Sequence, residues 1–365
     1  MMRRRCGLLA ACVVIVVAAL AAGGGCETVA FYSQAAHGQF EMLAARRDFA
    51  AVANDPQTAP DLRTRLNEIA DLRRFAVDVL HLPDDGAYTR YAALQRPAAV
   101  WTVVATPPLS LAPRLHCFPI AGCVPYRGWF EAEAADAEAG RLRAAGDDVS
   151  LGAVPAYSSL GWFDDPVLDT FVQWPLGRLA ELICHELAHR KLYLAGDAAF
   201  NEAYATAVGR LGAEAWLRAR ARGRSDELAA WQAERALQAE LRSVLLATRS
   251  ELATLYDGPL PEAGKRAAKA RILAAAQARY VAVLAARGIA AARPPELNNA
   301  RLAMLATYED AVPAFEALFH AGGDDWSAFH AAAAELATLP PAQRRARLGL
   351  PAPEGIATAS PDQAR

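Results

Sequence analysis

Two histidines and a glutamate near the middle of the chain have the spacing that binds a metal ion on a helix. They belong to the run His185-Glu186-Leu187-Ala188-His189, which continues an apolar segment and therefore predicts a helix. Residues four apart lie on one face of a helix, so both imidazoles can bind one ion while Glu186 stands beside them as a general base. This spacing is typical of a zinc peptidase helix, and the alternative is a surface helix with scattered polar residues.

A third ligand is required, because a catalytic zinc site uses three protein ligands and leaves one position open for water. The candidate is Glu202, which lies near the start of a second predicted helix after the loop 194–197. The alanines that follow Glu202 would let this helix approach the first one closely. We therefore expect two antiparallel helices to meet at one zinc ion, Zn2+.

The His-Glu-Leu-Ala-His helix with a downstream Asn-Glu pair resembles the gluzincin metallopeptidases. Further stretches look like the bacterial putative aminopeptidase family; they are Cys117–Cys123, Tyr126–Phe130, Ala156–Pro166 and Phe200–Glu202. The resemblance implies a zincin-like core, metal ligands at His185, His189 and Glu202, a general base at Glu186, and aminopeptidase activity. The twelve residues between His189 and Glu202 are a tighter spacing than in the large gluzincins.

Two further roles in peptide hydrolysis stay open in the sequence. The oxyanion normally receives help from a second electrophile, for which the candidates are Tyr157, Tyr193, Tyr204, Tyr308 and His320. An aminopeptidase must also hold the free amine of its peptide substrate, for which the candidates are Asp164, Asp165 and Glu181. An endopeptidase acting on envelope proteins is the alternative within the enzyme class.

The first 25 residues have the composition of a lipoprotein signal peptide. Three arginines from Arg3 to Arg5 precede the apolar run 7–22, and three glycines lead to Cys26. We expect cleavage before Cys26, lipidation of its thiol, and a chain that faces the periplasm from the outer membrane. The alternatives are a plain signal peptide and an uncut signal anchor, each of which also exports the protein.

The cysteines fit an exported protein. Cys117 and Cys123 are six residues apart around Pro119 and Gly122, a spacing that can close a small disulfide loop in an oxidising compartment. A zinc knuckle would need a second cysteine pair, which the chain does not offer there. Cys184 lies on the apolar face of the metal helix and is expected to be a buried, inert thiol.

Composition indicates a mostly helical α+β protein without a nucleic-acid surface. Removing the signal takes three of the 38 basic residues and none of the 40 acidic ones, which leaves a net charge of about −5. Short strands forming a small antiparallel sheet are predicted in 98–106, 114–130 and 147–157. The stretch Val154–Ser159 is either an edge strand that pairs with an extended substrate or an ordinary core strand.

The predicted organisation has four parts after the signal. Residues 26–212 form the catalytic region with its N-terminal helices, 213–290 a long helical hairpin, 291–350 the C-terminal helices and 351–365 a disordered tail. Outside the enzyme class, the chain would be a non-catalytic envelope lipoprotein with a structural or relict metal site. Structural zinc sites usually have four protein ligands, and three ligands beside an intact Glu186 favour the enzyme.

Overall fold

The computed structural model describes residues 26–118, 122–156, 164–220, 225–290, 296–306 and 311–350. The predicted signal peptide (1–25) and the predicted disordered tail (351–365) lie outside these residues. The described chain is mainly helical with small sheets, in agreement with the predicted α+β class.

Helices make up most of the described chain, and proline opens two of them. The helices are α1 (Cys26–Ala44), α2 (Phe49–Ala53), α3 (Pro60–Asp78), α4 (Ala132–Ala144), α5 (Leu176–Lys191), α6 (Ala198–Arg220), α7 (Ser225–Asp257), α8 (Glu262–Ala286), α9 (Asn299–Ala303), α10 (Val312–Ala321), α11 (Trp326–Thr338) and α12 (Pro341–Arg347). Pro60 and Pro341 stand in the first turns of α3 and α12, where a missing N–H leaves no helical bond unmade.

The strands are short and form separate sheets. They are β1 (Arg47–Asp48), β2 (Arg90–Ala92), β3 (Val100–Thr106), β4 (His116–Phe118), β5 (Gly122–Val124), β6 (Arg127–Trp129), β7 (Asp148–Val154) and β8 (Val167–Leu168). The antiparallel sheet β6-β3-β7 matches the predicted strands, with Trp101 opposite Trp129 and Thr102 opposite Gly152. The sheet β1-β2-β8 includes a parallel pair, β2 with β8, which the sequence did not indicate because these strands are too short to show alternation.

The disulfide loop lies in the two-stranded pair β4-β5. Cys117 and Cys123 are directly opposite each other in register, with their Cα atoms 3.9 Å apart, and are joined by a disulfide. Cys184 is a buried free cysteine on α5, and burial raises the pKa of its thiol to about 12. This thiol is therefore inert at neutral pH, as the sequence indicates. In the part of the chain that the structure describes, no helix is both long and apolar enough to cross a bilayer.

The hairpin α7–α8 is attached to the rest of the protein at both of its ends. Near the start of α7, Trp231 packs on Gly177 of α5, where an added Cβ would come within 2.5 Å of the indole. Near the tip, Lys269 pairs with Asp148 of β7 at 2.6 Å. Because α6 runs without interruption to Arg220, the predicted start of the hairpin at residue 213 falls inside α6. The hairpin thus connects α5 to the sheet β6-β3-β7.

The main core surrounds the paired helices α5 and α6. One face of α5 is fully buried through Leu179, Ile183 and Leu187, which follow one another at a spacing of four. His185 and His189 lie on another side of α5, where both approach Glu202 of α6. Packing therefore leaves α5 one orientation, in which both histidines face the neighbouring helix.

Candidate metal centre

The structure brings His185, His189 and Glu202 together between α5 and α6. The Nε2 atoms of the two histidines are 3.1 Å apart. The Glu202 carboxylate lies 3.4 Å from His185 Nε2 through Oε2 and 3.5 Å from His189 Nε2 through Oε1. These three side chains form a group that could hold a metal ion.

The site is partly exposed to solvent at His185 and Glu202. The side chains of His185 and Glu202 keep 21% and 33% of their surface exposed, whereas that of His189 keeps 5%. The Nδ1 atom of His189 has no hydrogen-bond partner among the described residues, and His185 Nδ1 lies 3.4 Å from Thr206 Oγ1. Thr206 stands one helical turn after Glu202, so α6 supplies both a ligand candidate and a contact that orients a histidine.

The pKa shifts of Glu202 and His189 favour the binding of a cation, whereas the shift of His185 opposes it, because a ligand imidazole must be neutral. Burial, together with the neighbouring His185, lowers the pKa of His189 to about 4. Burial opposes ionisation of Glu202, but the hydrogen bond to His185 and the nearby histidines outweigh it and lower the pKa of Glu202. Burial also acts to lower the pKa of His185, while the bond to Glu202 and the charge of Glu186 raise it above its usual value. Glu202 is thus ionised and His189 neutral at neutral pH, as metal ligands must be.

Two glycines on α6 allow the two helices to approach closely. A Cβ added at Gly209 would lie 2.7 Å from the carbonyl oxygen of Glu181 and 3.1 Å from the Cβ of His185. A Cβ at Gly212 would lie 2.8 Å from Leu80 and 3.2 Å from the sulfur of Cys184. The alanines after Glu202 are buried as well. Only residues without a side chain fit at this helix crossing.

The turn between α5 and α6 is fixed by side chains that bond its backbone. The buried Asn201 accepts from the N–H of Leu194 at 2.7 Å and donates to the carbonyl of the same residue at 2.8 Å. The Asp197 side chain accepts from the N–H of Phe200 at 3.0 Å and so caps the start of α6. The Asn-Glu pair therefore has two roles, since Asn201 holds the turn and Glu202 reaches the histidines.

Glu186 faces a buried polar cluster that the sequence did not reveal. Tyr88 is buried, has a left-handed backbone (φ 57°), and donates its N–H to the carbonyl of Asp165 at 2.8 Å. Burial raises the pKa of Tyr88, and the charge of Glu186 raises it further. Arg190, one turn after Glu186, pairs with Asp85. These residues come from distant parts of the chain, and no local pattern marks them.

The oxyanion candidates are separated by the structure. Tyr204 is fully buried and stacks on Phe329, away from solvent. Tyr193 is 52% exposed, and His320 pairs with Asp324 at 2.6 Å on the surface. Tyr157 and Tyr308 lie outside the described residues. Tyr204 is therefore a core residue, because the face of α6 that carries it is turned away from the one that carries Glu202.

Tyr204 belongs to a buried hydrogen-bond chain with His330. A carbonyl oxygen only accepts, so His330 Nε2 donates to Leu80 O at 2.8 Å, and His330 Nδ1 accepts from the Tyr204 hydroxyl at 2.7 Å. This tautomer is neutral, and burial lowers the pKa of His330 to about 4. Protonation of His330 would break the bond from Tyr204.

Stability should therefore fall as the pH is lowered from about 6.5 to about 4. In that range the unfolded chain binds a proton at His330, whose unfolded pKa is about 6.5, and the folded chain does not. We expect the free energy of unfolding to fall by about 2 kcal/mol between pH 6.5 and pH 5. Urea unfolding in the presence of a chelator measures it. The variant His330→Gln should lose that part of the pH dependence, and an identical pH dependence in both proteins would contradict the assignment.

The three candidates for binding a substrate amine are also separated. Glu181 is occupied, since it accepts from Trp231 Nε1 and Arg235 Nη1, both at 3.2 Å. Asp165 is buried in the core. Asp164 keeps 42% of its side chain exposed and lies 3.8 Å from Arg190. Asp164 is thus the accessible acid on the Glu186 side of α5.

Fold and site together define a helical protein in which two antiparallel helices carry a His-His-Glu group able to hold a metal ion. A family model described as "Putative aminopeptidase" matches residues 30–348. The chain belongs to this family, whose name indicates peptidase activity. Comparison with curated proteins and with solved structures gave no match.

Proposed function

We propose that the protein is a zinc-dependent metallopeptidase of the gluzincin type, with His185, His189 and Glu202 as ligands. The geometry of these side chains carries the proposal. Zinc bonds of about 2.0–2.1 Å in a tetrahedral site place neighbouring ligand atoms about 3.3 Å apart. The observed separations of 3.1, 3.4 and 3.5 Å are close to that value. Two nitrogens and one carboxylate are also a ligand set that zinc peptidases use.

The metal ion and the residues around it would have separate roles in peptide hydrolysis. A bound zinc ion would supply a Lewis acid that polarises the peptide carbonyl and makes a water molecule more acidic. Glu186, next to the first ligand on α5, would take the proton from the attacking water and pass it to the leaving amine. Thr206 would keep the His185 ring in place through Nδ1. Exposure on the His185 and Glu202 side gives a substrate access to the ion.

The edge of the antiparallel sheet offers a place for an extended peptide. The edge strand β6 is covered by α1, because the Gln34 side chain donates to Gly128 O at 3.3 Å and accepts from Phe130 N at 2.9 Å. The other edge strand, β7, has Asn298 bonded to Val149 O at its start. In the described chain, the rest of β7 has no strand partner on its outer side. A peptide could add there as a fourth strand.

The end of β7 leads toward the metal helix. Thr170, shortly before α5, donates its hydroxyl to Pro155 O at 2.5 Å. Asp164 lies between Pro155 and Thr170 in the connection from β7 to α5, and its side chain is beside Arg190 of α5. We therefore assign the binding of the substrate's free amine to Asp164, which would make the enzyme an aminopeptidase. Residues 157–163, and with them the end of the candidate stretch Val154–Ser159, lie outside the described residues.

Metal analysis combined with cleavage profiling tests this function. The purified protein should contain one zinc ion per chain, and a chelator should abolish hydrolysis that added zinc restores. Peptides with a free amino end should be cleaved, and the same peptides with an acetylated end should not. Equal cleavage of both sets would indicate an endopeptidase. A zinc-loaded protein that cleaves neither set would be a non-catalytic lipoprotein.

We further propose that the chain is exported and anchored in the outer membrane through a lipid on Cys26, facing the periplasm. The basic, apolar and glycine-rich segments before Cys26 support this. Cys26→Ser should remove the lipid and release the protein from membranes. Mass spectrometry of the membrane fraction tests it, and a membrane-bound form of unchanged mass in the variant would contradict lipidation.

A further inference from the structure

The last described helix, α12, reaches the turn between the two metal-binding helices through one arginine. Arg344 is buried, with 4% of its surface exposed. Its Nη2 pairs with Asp197 Oδ2 at 2.8 Å, and its guanidinium stands 5.1 Å from the centre of the Phe200 ring. Its Nη1 donates to the carbonyls of Ala337 and Leu339. The guanidinium thus joins the end of α11 to the start of α6.

Asp197 transmits this contact to α6, because its two carboxylate oxygens have different partners. Oδ1 accepts from the N–H of Phe200 and caps the helix, while Oδ2 binds Arg344. The carbonyl oxygen of Asp197 also accepts from the N–H of Asn201 at 3.1 Å. Glu202 is the next residue. Any rotation of the first turn of α6 would therefore carry the Glu202 carboxylate with it.

Such a rotation would matter more for the metal than for the fold. A ligand has to be held within about 0.5 Å and 10–20° of its bonding geometry. Glu202 lies in the second turn of α6, and the first turn is held by the Asp197 cap and by the two bonds between Asn201 and Leu194. Asn201 fixes the turn before the helix, and the Asp197 cap with its buried partner Arg344 fixes the first turn of the helix itself.

We propose that Arg344 is a positioning residue for Glu202, acting through Asp197, so that the C-terminal helix is part of the metal centre. This inference rests on the proposed zinc site. Outer-shell contacts of metal ligands typically contribute 10–100-fold to metal affinity. Arg344 does not touch the ligand itself, so we expect its loss to weaken zinc binding by about tenfold.

The test compares Arg344→Gln, which acts at the start of α6, with the matched control Arg220→Gln at the other end of α6. Arg220, the last residue of α6, also pairs with an acid, Glu68, at 3.3 Å and stacks on a ring, that of Trp216, at 4.4 Å. It is 18 residues from Glu202, about 27 Å along the helix. The zinc dissociation constant of each full-length variant is measured by competition with a chromophoric chelator, and the Tm of each zinc-free protein is recorded.

We expect both variants to lower the Tm, but only Arg344→Gln to weaken zinc binding about tenfold. Equal zinc affinity in Arg344→Gln and the wild type, or equal weakening in both variants, would overturn the inference. Should Arg344→Gln fail to fold, Asp197→Asn provides the same test, since asparagine keeps the cap and loses the ion pair. Unchanged affinity in Asp197→Asn would likewise overturn it. A wild-type protein that binds no zinc would overturn the proposed function and this inference together.

Discussion

Glu186→Gln is expected to abolish most peptide hydrolysis while leaving the fold and the bound metal in place. The amide has the shape of the carboxylate but cannot accept a proton, and general base catalysis contributes about 10²–10⁴-fold to rate. Glu186 is half-buried on α5 beside His185, and it is not one of the three candidate ligands. Therefore kcat should fall by that factor, with little change in zinc content or Tm.

The matched control for this variant is Glu181→Gln. Glu181 lies on the same helix, one turn before His185, and its carboxylate is held by Trp231 and Arg235. Its amide variant should lose some stability and keep kcat close to that of the wild type. Steady-state kinetics on a peptide with a free amino end, together with zinc analysis, measures both effects. Turnover near the wild-type level in Glu186→Gln would contradict the proposed mechanism.

Local geometry explains why the first half of the site could be predicted from the sequence. The rise and turn of a helix fix the relation of His185 to His189 without any knowledge of the rest of the fold. The prediction that Glu202 is the third ligand depended on one further condition, a short turn between two helices. The loop at 194–197 indicated such a turn. The structure meets this condition through Asp197 and Asn201, whose side chains bond the backbone of the turn.

Contacts between distant segments explain what the sequence could not reveal. Tyr88 approaches Glu186, and Arg344 approaches Asp197, only after the chain has folded. Neither residue belongs to a motif with a fixed spacing to the metal helix. The sequence left the oxyanion-stabilising tyrosine undecided for a related reason. Tyr204 is two residues after Glu202, so it points to another side of α6, where His330 binds its hydroxyl.

The prediction of strands is limited in the same way, because pairing between distant segments cannot be predicted from local sequence. β3 and β7 have seven residues each, and the β-branched and aromatic residues of β3 are numerous enough to predict a strand. β1, β2 and β8 have two or three residues each, and their pairing joins segments up to 76 positions apart, as between Tyr91 and Val167. Such pairing between distant segments leaves no periodic signal in the sequence.

Glu202→Ala is expected to remove one of three metal ligands and therefore to weaken zinc binding by more than the roughly 100-fold that an outer-shell contact can contribute. The side chain reaches both histidines, at 3.4 and 3.5 Å, and is the third member of the group that could hold an ion. The helix itself should remain, because alanine favours helices and the buried face of α6 is unchanged. Zinc content after dialysis against a mild chelator measures the effect.

Glu181→Ala separates this expectation from a general effect of removing an acid near the histidines. Glu181 contributes to the raised pKa of His185 through its charge, but its oxygens bind Trp231 and Arg235 rather than the ion site. Zinc content should therefore stay near the wild-type value in Glu181→Ala and fall close to zero in Glu202→Ala. Equal zinc content in wild type and Glu202→Ala would show that the third ligand is another residue. The metal would then not be bound by α5 and α6 together.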